Sequence, residues 1–260
     1  MESHASQGER MTKSQINKLG EKLRTALELD GDTLARLQRF RASYDEPMLR
    51  VQALLRDAGF ESTSRLKTTN TIIEKLRRER TRLAEMQDIG GLRIVSEVDL
   101  AGQDEIVSRI TSVVSITKVI DRRKSPSYGY RAVHIIATLE ERPVEIQVRT
   151  QLQDLWAQAM ERLADEVGRE IRYGGKPQTR IEAVEGLLEI SRVIAETEGM
   201  LTEINQLESE LPQSHRAASK QHELRLLRTH IELLRRGLDR QTKTICAMLK
   251  VIIASGGTLP

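Results

Sequence analysis

Apolar residues recur at three- and four-residue spacing through the N-terminal stretch: Leu19, Leu23, Leu27 and Leu29, then Leu34, Leu37 and Phe40, then Leu49, Val51, Leu54 and Leu55. That period gives a helix one apolar face, so a helical segment is expected over 1–62. Gly31 and Gly59 punctuate it, and Pro47 begins a new helix rather than sitting in mid-turn. From Ser64 the texture changes. A helix is expected over 69–82, with Ile72, Ile73 and Leu76 inward and the basic residues outward. The run at 89–95 reads as a buried strand, followed by a helix over 104–111 and a β-branched strand over 113–120. Two more strands, 132–139 and 144–148, flank Glu140-Glu141-Arg142-Pro143, a short turn that predicts a hairpin. A helix over 151–167 follows. Strands mixed with helices predict an α/β (α+β) domain over 63–175.

Past Gly174-Gly175 the pattern is helical again. Leu187, Ile190, Ile194, Leu201, Ile204 and Leu211 form a near-heptad seam that breaks at Pro212. Leu224, Leu227, Ile231, Leu234, Leu238, Ile245, Met248 and Ile252 form a second. Two long helices joined near 211–215 make a C-terminal helical hairpin over 176–260. Their seams must be buried against each other, the core or another subunit, so the hairpin is a candidate homo-oligomerisation element.

Composition narrows the class. The chain has 260 residues, 38% apolar and 30% charged. Its longest C-terminal apolar run, 245–254, contains Lys250 and is too short to cross a bilayer. No basic region followed by an apolar stretch opens the sequence, and the reading is cytoplasmic, without a membrane partner. One cysteine, Cys246, excludes a disulfide framework and a multi-cysteine zinc site, and its apolar helical context suits a core residue. Net charge is only +3, but it is clustered. Arg65, Lys67, Lys75, Arg77, Arg78, Arg80 and Arg82 face only Glu74 and Glu79 in their segment, and Arg122-Arg123-Lys124 forms a second knot near Arg131. Two separated cationic clusters suit a polyanion of limited size; a solvated helix face is the plainer reading.

Several chemistries are absent. There is no phosphate-binding Gly-x-x-x-x-Gly-Lys-Ser/Thr loop, no Gly-x-Gly-x-x-Gly fingerprint and no kinase Asp-Phe-Gly. The histidines (His4, His134, His215, His222, His230) form no His-Asp dyad and no His-Glu-x-x-His, and the last three read as surface residues. What remains points to phosphates. Asp88 and Glu145 each sit at the start of an apolar strand, where carboxylates on neighbouring strands can share Mg²⁺ with a substrate phosphate. Tyr128 and Tyr130, two of only seven aromatics, share a loop with Pro126 and Gly129. A single aromatic platform beside cations suits one nucleobase, and Gly129 lets the backbone approach it.

Four segments in order carry a resemblance: Arg65-x-Lys67-x-x-x-Thr71-Ile72-x-x-Lys75, Asp88-Ile89-x-Gly91-x-Arg93, Gly129-Tyr130-Arg131-Ala132-Val133-His134 and Glu145-Ile146-Gln147-Val148-Arg149-Thr150. Together they resemble the synthetase domain of the RelA/SpoT family, in its small stand-alone form. The resemblance implies a nucleotidyltransferase-like mixed sheet flanked by helices. The activity it implies is transfer of pyrophosphate from ATP to the 3′-hydroxyl of GDP or GTP, with Mg²⁺, giving ppGpp or pppGpp. By the same resemblance Arg65 and Arg93 pack on the two faces of adenine, and Lys67, Thr71, Lys75 and Arg78 hold the ATP phosphates. Asp88 binds Mg²⁺. Glu145 acts with the metal and takes the proton of the attacking hydroxyl. Tyr130 stacks on guanine, and Lys124, His134, Gln147 and Arg149 order the acceptor. Asp154 stands where some small synthetases place an asparagine facing guanine.

The chain departs from the family pattern at Arg122-Arg123, Ala132 and Thr71. A basic loop admits a rival within the family, pyrophosphorylation of the CCA end of tRNA. A rival from another class is a non-catalytic nucleotide sensor that binds partners through its helical seams.

Overall fold

A computed structural model describes residues 10–211 and 218–255. Three helices open the fold: α1 (Lys13–Thr25), α2 (Gly31–Ala42) and α3 (Asp45–Asp57). Each starts where chemistry favours it. Thr12 and Gln15 close a capping box on α1, Asp30 caps α2, and Asp45, Glu46 and Pro47 fill the first turn of α3. Then follow β1 (Thr63–Leu66), α4 (Thr69–Glu79), β2 (Gly90–Ser96), α5 (Leu100–Val113), β3 (Ile116–Asp121), β4 (Val133–Leu139), β5 (Arg142–Thr150), α6 (Gln151–Val167), α7 (Ile181–Glu210) and α8 (Ala218–Ala254). The five strands form one mixed sheet in the order β1-β2-β5-β4-β3. No described helix is long and apolar enough to cross a membrane.

The expected elements are present, with local corrections. β1 is an addition: four residues, mostly exposed, paired antiparallel with β2 in the register Thr63↔Arg93 to Leu66↔Gly90. α4 stops at Glu79 rather than 82, because Arg80 takes a left-handed conformation with φ 51°. α5 is longer than the pattern suggested and runs to Val113, so β3 begins only at Ile116. The hairpin turn is just Glu140-Glu141, both at positive φ, and Arg142-Pro143 already belong to β5. Arg142 is buried there, donating to Ser43 Oγ at 2.9 Å and lying over the Phe40 and Tyr44 rings.

The chain folds as two compact units. The first takes the chain up to Ile94 with Ile110–Val119 and Ile135–Gln147; the second takes Val95–Arg109, Ile120–His134 and the chain from Val148 onward. In the first, Leu19 and Leu23 of α1, Leu37 and Phe40 of α2, Leu55 of α3 and Ile72 and Leu76 of α4 are all buried. In the second, α6, α7 and α8 pack through Trp156, Met160 and Leu163, Leu187 and Ile194, and Ile245, Leu249 and Ile252. The seam expected on α8 is half right. Ile231, Leu238, Ile245 and Ile252 are buried, but Leu227, Leu234 and Met248 are exposed and Leu249 takes the inward place. Cys246 packs partly buried against this core, and burial pushes its thiol above the ordinary range, as suits a packing residue rather than a nucleophile. His222 and His230 are exposed as expected, whereas His4, His215 and most of the 211–215 joint lie outside the described residues.

Candidate active site

The candidate donor-site residues all belong to the first unit. The β1–β2 register places Arg65 opposite Gly91 and Arg93 opposite Thr63, so the two arginines share one face of the ribbon as diagonal neighbours. Diagonal positions are about 7–8 Å apart, the span that a flat ring sandwiched between two guanidinium planes requires. Past β1 the chain is pinned by Lys67 N–H donating to Ile89 O and by Arg41 Nε donating to Lys67 O. Thr68 then caps α4 by accepting from the Thr71 N–H. The cap fixes where the helix starts, and hence puts Thr71, Lys75 and Arg78 on one side of α4 at four- and three-residue spacing.

Asp88 is the hub. Its Oδ2 accepts from Lys75 Nζ at 2.7 Å and from Lys67 Nζ at 2.9 Å, with all three side chains about a fifth exposed. Burial pushes the Asp88 carboxyl up, but the two ammonium groups outweigh it and hold the group below the usual carboxylate range. For Lys75, burial pulls down while Asp88, Glu79 and Glu145 raise it further, so Glu145 lies within electrostatic reach of the same ammonium. Gln147 Nε2 donates to Glu145 Oε2 at 2.7 Å and fixes that carboxylate. Asp88 Oδ1, although buried, has no hydrogen-bond partner among the described residues. A hard oxygen donor left open, with the Glu145 carboxylate in electrostatic reach of the same lysine, fits Mg²⁺. Among the described residues no group of three or more His, Cys, Asp or Glu side chains gathers, so such an ion would draw its remaining ligands from phosphate and water.

The candidate acceptor residues, Gln147 apart, belong to the second unit. Ser127 and Tyr130 exchange backbone hydrogen bonds around a tight turn with Tyr128 at φ 50° and Gly129 at φ 82°. Gly129 is required twice, by that conformation and because a Cβ there would come within 2.7 Å of the Trp156 ring. The turn is tied to α7: Ser191 Oγ donates to Gly129 O at 2.5 Å and accepts from Arg131 Nε at 3.2 Å. Tyr130 is half-buried, with its hydroxyl 2.9 Å from His134 Nε2 and accepting from Arg149 at 3.0 Å. The Arg149 guanidinium also lies 5.1 Å from the Tyr130 ring centre. Tyr128, by contrast, is 54% exposed. Asp154 is buried rather than on the helix surface; it accepts from Arg149 at 2.8 Å and from Gln158 at 2.6 Å, so it acts as the anchor of Arg149. Lys124 is exposed on the loop. Arg123 is engaged inwardly, paired with Asp121 and Asp104, and does not add to an open basic surface.

Sequence reasoning missed a buried polar network in this unit. Glu198 of α7 accepts from the Thr150 hydroxyl and from Gln153 Nε2, and Gln103 of α5 bonds Gln153 and Val148 O. The signal was available: Leu187, Ser191, Ile194 and Glu198 follow four-three-four spacing, with polar residues at seam positions. Burial raises the Glu198 carboxyl above its ordinary 4.5, against the pull of Thr150, Gln153, Arg131 and Arg123. The folded chain therefore holds this proton more tightly than the unfolded chain. The associated stability is fully present below pH 4.5 and is lost as pH rises through the folded value. Glu198→Gln is expected to gain thermal stability relative to wild type as pH rises above that range and to converge with it below, as read from melting curves across pH.

Residues 64–164 match the family described as "Region found in RelA / SpoT proteins". An uncharacterized protein of Mycobacterium tuberculosis is 42% identical over 119 residues, which span 45% of this chain and 44% of that relative. The chain thus matches under half the length of the curated relative. Among solved structures, the small alarmone synthetase 1 from Bacillus subtilis is similar at TM-score 0.55 and 23% identity, covering 67% of this chain and 98% of that one. The same synthetase bound to its product pppGpp is similar at TM-score 0.52 and 23% identity, over 66% of this chain and 97% of that one. A GTP pyrophosphokinase family protein from Streptococcus pneumoniae gives TM-score 0.50 at 21% identity, over 72% of this chain and all of that one. These likenesses establish the synthetase-type fold. Every candidate residue from Arg65 to Asp154 lies inside the matched region, 64–164, which resembles the RelA/SpoT family region.

Proposed function

We propose that this protein transfers the pyrophosphoryl group of ATP to the 3′-hydroxyl of GDP or GTP, making ppGpp or pppGpp and releasing AMP. The observation that carries the reading is Asp88, clamped by Lys67 and Lys75, with one buried oxygen unsatisfied and Glu145 within reach of the same lysine. Arg65 and Arg93 grip adenine, and Lys67, Thr71, Lys75 and Arg78 orient the phosphate chain. Asp88 and Glu145 would hold Mg²⁺, which supplies Lewis-acid neutralisation of phosphate charge. Glu145, steadied by Gln147, accepts the proton of the 3′-hydroxyl. The 3′-oxygen then bonds to the β-phosphorus while the α–β bridge breaks and AMP carries away the bridging oxygen. Tyr130 presents its ring to guanine, backed by Arg149 and His134, and Lys124 offers an exposed charge to the acceptor phosphates. The lysines and Arg78 stabilise charge that grows on the phosphates in the transition state.

The test is acceptor choice. Purified protein is incubated with γ-labelled ATP and Mg²⁺ and offered GDP, GTP or deacylated tRNA. Label on a guanine nucleotide with matching AMP is expected. Glu145→Gln should keep nucleotide binding and lose turnover by about a thousandfold. Label on tRNA alone would establish the rival acceptor, and wild-type protein that forms no AMP with any acceptor would leave only the nucleotide sensor. The inward pairing of Arg123 supports the nucleotide acceptor, because it removes one of the loop cations that an RNA backbone would use.

A further inference from the structure

The basic run from Arg77 to Arg82 is only partly used by the donor site. Arg77 is two residues past Lys75, which at 3.6 residues per turn sets it about 200° round α4, on the opposite side of the helix. There it meets the end of α1. Arg24, Thr25, Arg77 and Arg80 line a cavity of about 430 Å³, entirely within the first unit. Two of the three guanidinium groups are held by the neighbouring helix end. Arg24 donates to Arg80 O at 3.2 Å, and Arg77 donates to Ala26 O at 3.0 Å. Arg24 is also paired with Glu21.

Arg80 is different. It ends α4 at φ 51°, in the left-handed region where glycine is the ordinary choice and an L side chain is strained. Arg80 is exposed and lines the cavity, and among the described residues no hydrogen bond or ion pair engages its guanidinium. Three arginines line one cavity, two held by carbonyls and the third at a strained backbone position. An anion placed among them would offset their mutual repulsion, and planar guanidinium forks match phosphate oxygens.

We propose that this cavity is a second anion site, separate from the donor site, that takes the di- or triphosphate group of a small ligand. Its volume is in the range of small-molecule pockets. Because α4 carries Arg77 and Arg80 on one side and Lys75 on the other, an occupant here would bear on the helix that orients the ATP phosphates.

The test resolves location, so it does not depend on the reaction proposed above. The full chain, isotope-labelled, is titrated with inorganic tripolyphosphate and separately with GTP, each matched in ionic strength with sodium chloride. Saturable shifts of the Thr25, Ala26 and Arg80 amides are expected, and the tighter probe tells whether the ligand is a nucleotide or a free polyphosphate. Arg80→Gly relieves the backbone strain, so it should fold with an equal or higher Tm while binding either probe at least about tenfold more weakly. Unmoved amides, shifts that chloride reproduces, or undiminished binding by Arg80→Gly would each overturn the proposal. So would a short RNA that moves these amides when both phosphate probes leave them in place.

Discussion

Asp88→Ala is expected to abolish AMP release and to destabilise the fold together. The reasons are separable. Removing the carboxylate leaves Lys67 and Lys75 facing each other across the same pocket, with Glu79 and Glu145 as remaining counter-charges. Breaking a fully buried pair costs about 3–5 kcal/mol; with these side chains about a fifth exposed, about 2–3 kcal/mol is the expected loss on urea unfolding. The effect depends on pH in a definite direction. The folded carboxyl titrates below its ordinary 3.8, so its contribution is present above that value and disappears as pH falls through the lower folded value. Wild type and variant should therefore draw together in acid. Turnover should fall by about a thousandfold or more, since the open Oδ1 is lost with the charge. Asp88→Asn separates the two effects: it keeps the side-chain shape, loses the charge and should be as inactive. Near-normal AMP release by either variant would remove Asp88 from the chemistry.

Arg149→Ala should cost the fold still more, about 3–5 kcal/mol. Its side chain is only 4% exposed and that of Asp154 only 11%, so truncation takes the arginine partner from a largely buried carboxylate. Tyr130 loses a hydrogen bond and the cation over its ring in the same step. Replacing both partners with apolar residues of similar volume, Arg149→Met with Asp154→Leu, should recover much of the loss. A urea-unfolding cycle over the two singles and the double reads that coupling directly. If the single substitution were as mild as a surface change, the pair would not be the anchor described for the Tyr130 loop.

The two halves of the candidate site were not equally legible in the sequence. Contiguous motifs gave the donor half: a cap at Thr68, lysines at helical spacing and an acid at a strand edge are local signals, and the structure gathers those residues round Asp88. β1 escaped because four mostly exposed residues show no alternation, and only pairing with β2 reveals the strand. The Glu140-Glu141 turn escaped because both residues adopt positive φ, which normally calls for Asn or Gly. The α8 register slipped at Met248 and Leu249 because a heptad seam must drift on a helix that packs against two others. Ser191 and Glu198 were the deeper omission. They lie far along the chain from the loop and strand they hold, and such partners appear only when a polar residue in an apolar seam is treated as a clue.

One consequence follows from the packing beneath Gly129. Trp156 is the chain's single tryptophan; its ring abuts that glycine, and its indole N–H donates to Leu187 O on α7 at 2.6 Å. Native fluorescence from this protein is therefore a one-point gauge of the Tyr128–Gly129 bend, reading its displacement in unlabelled material and in real time.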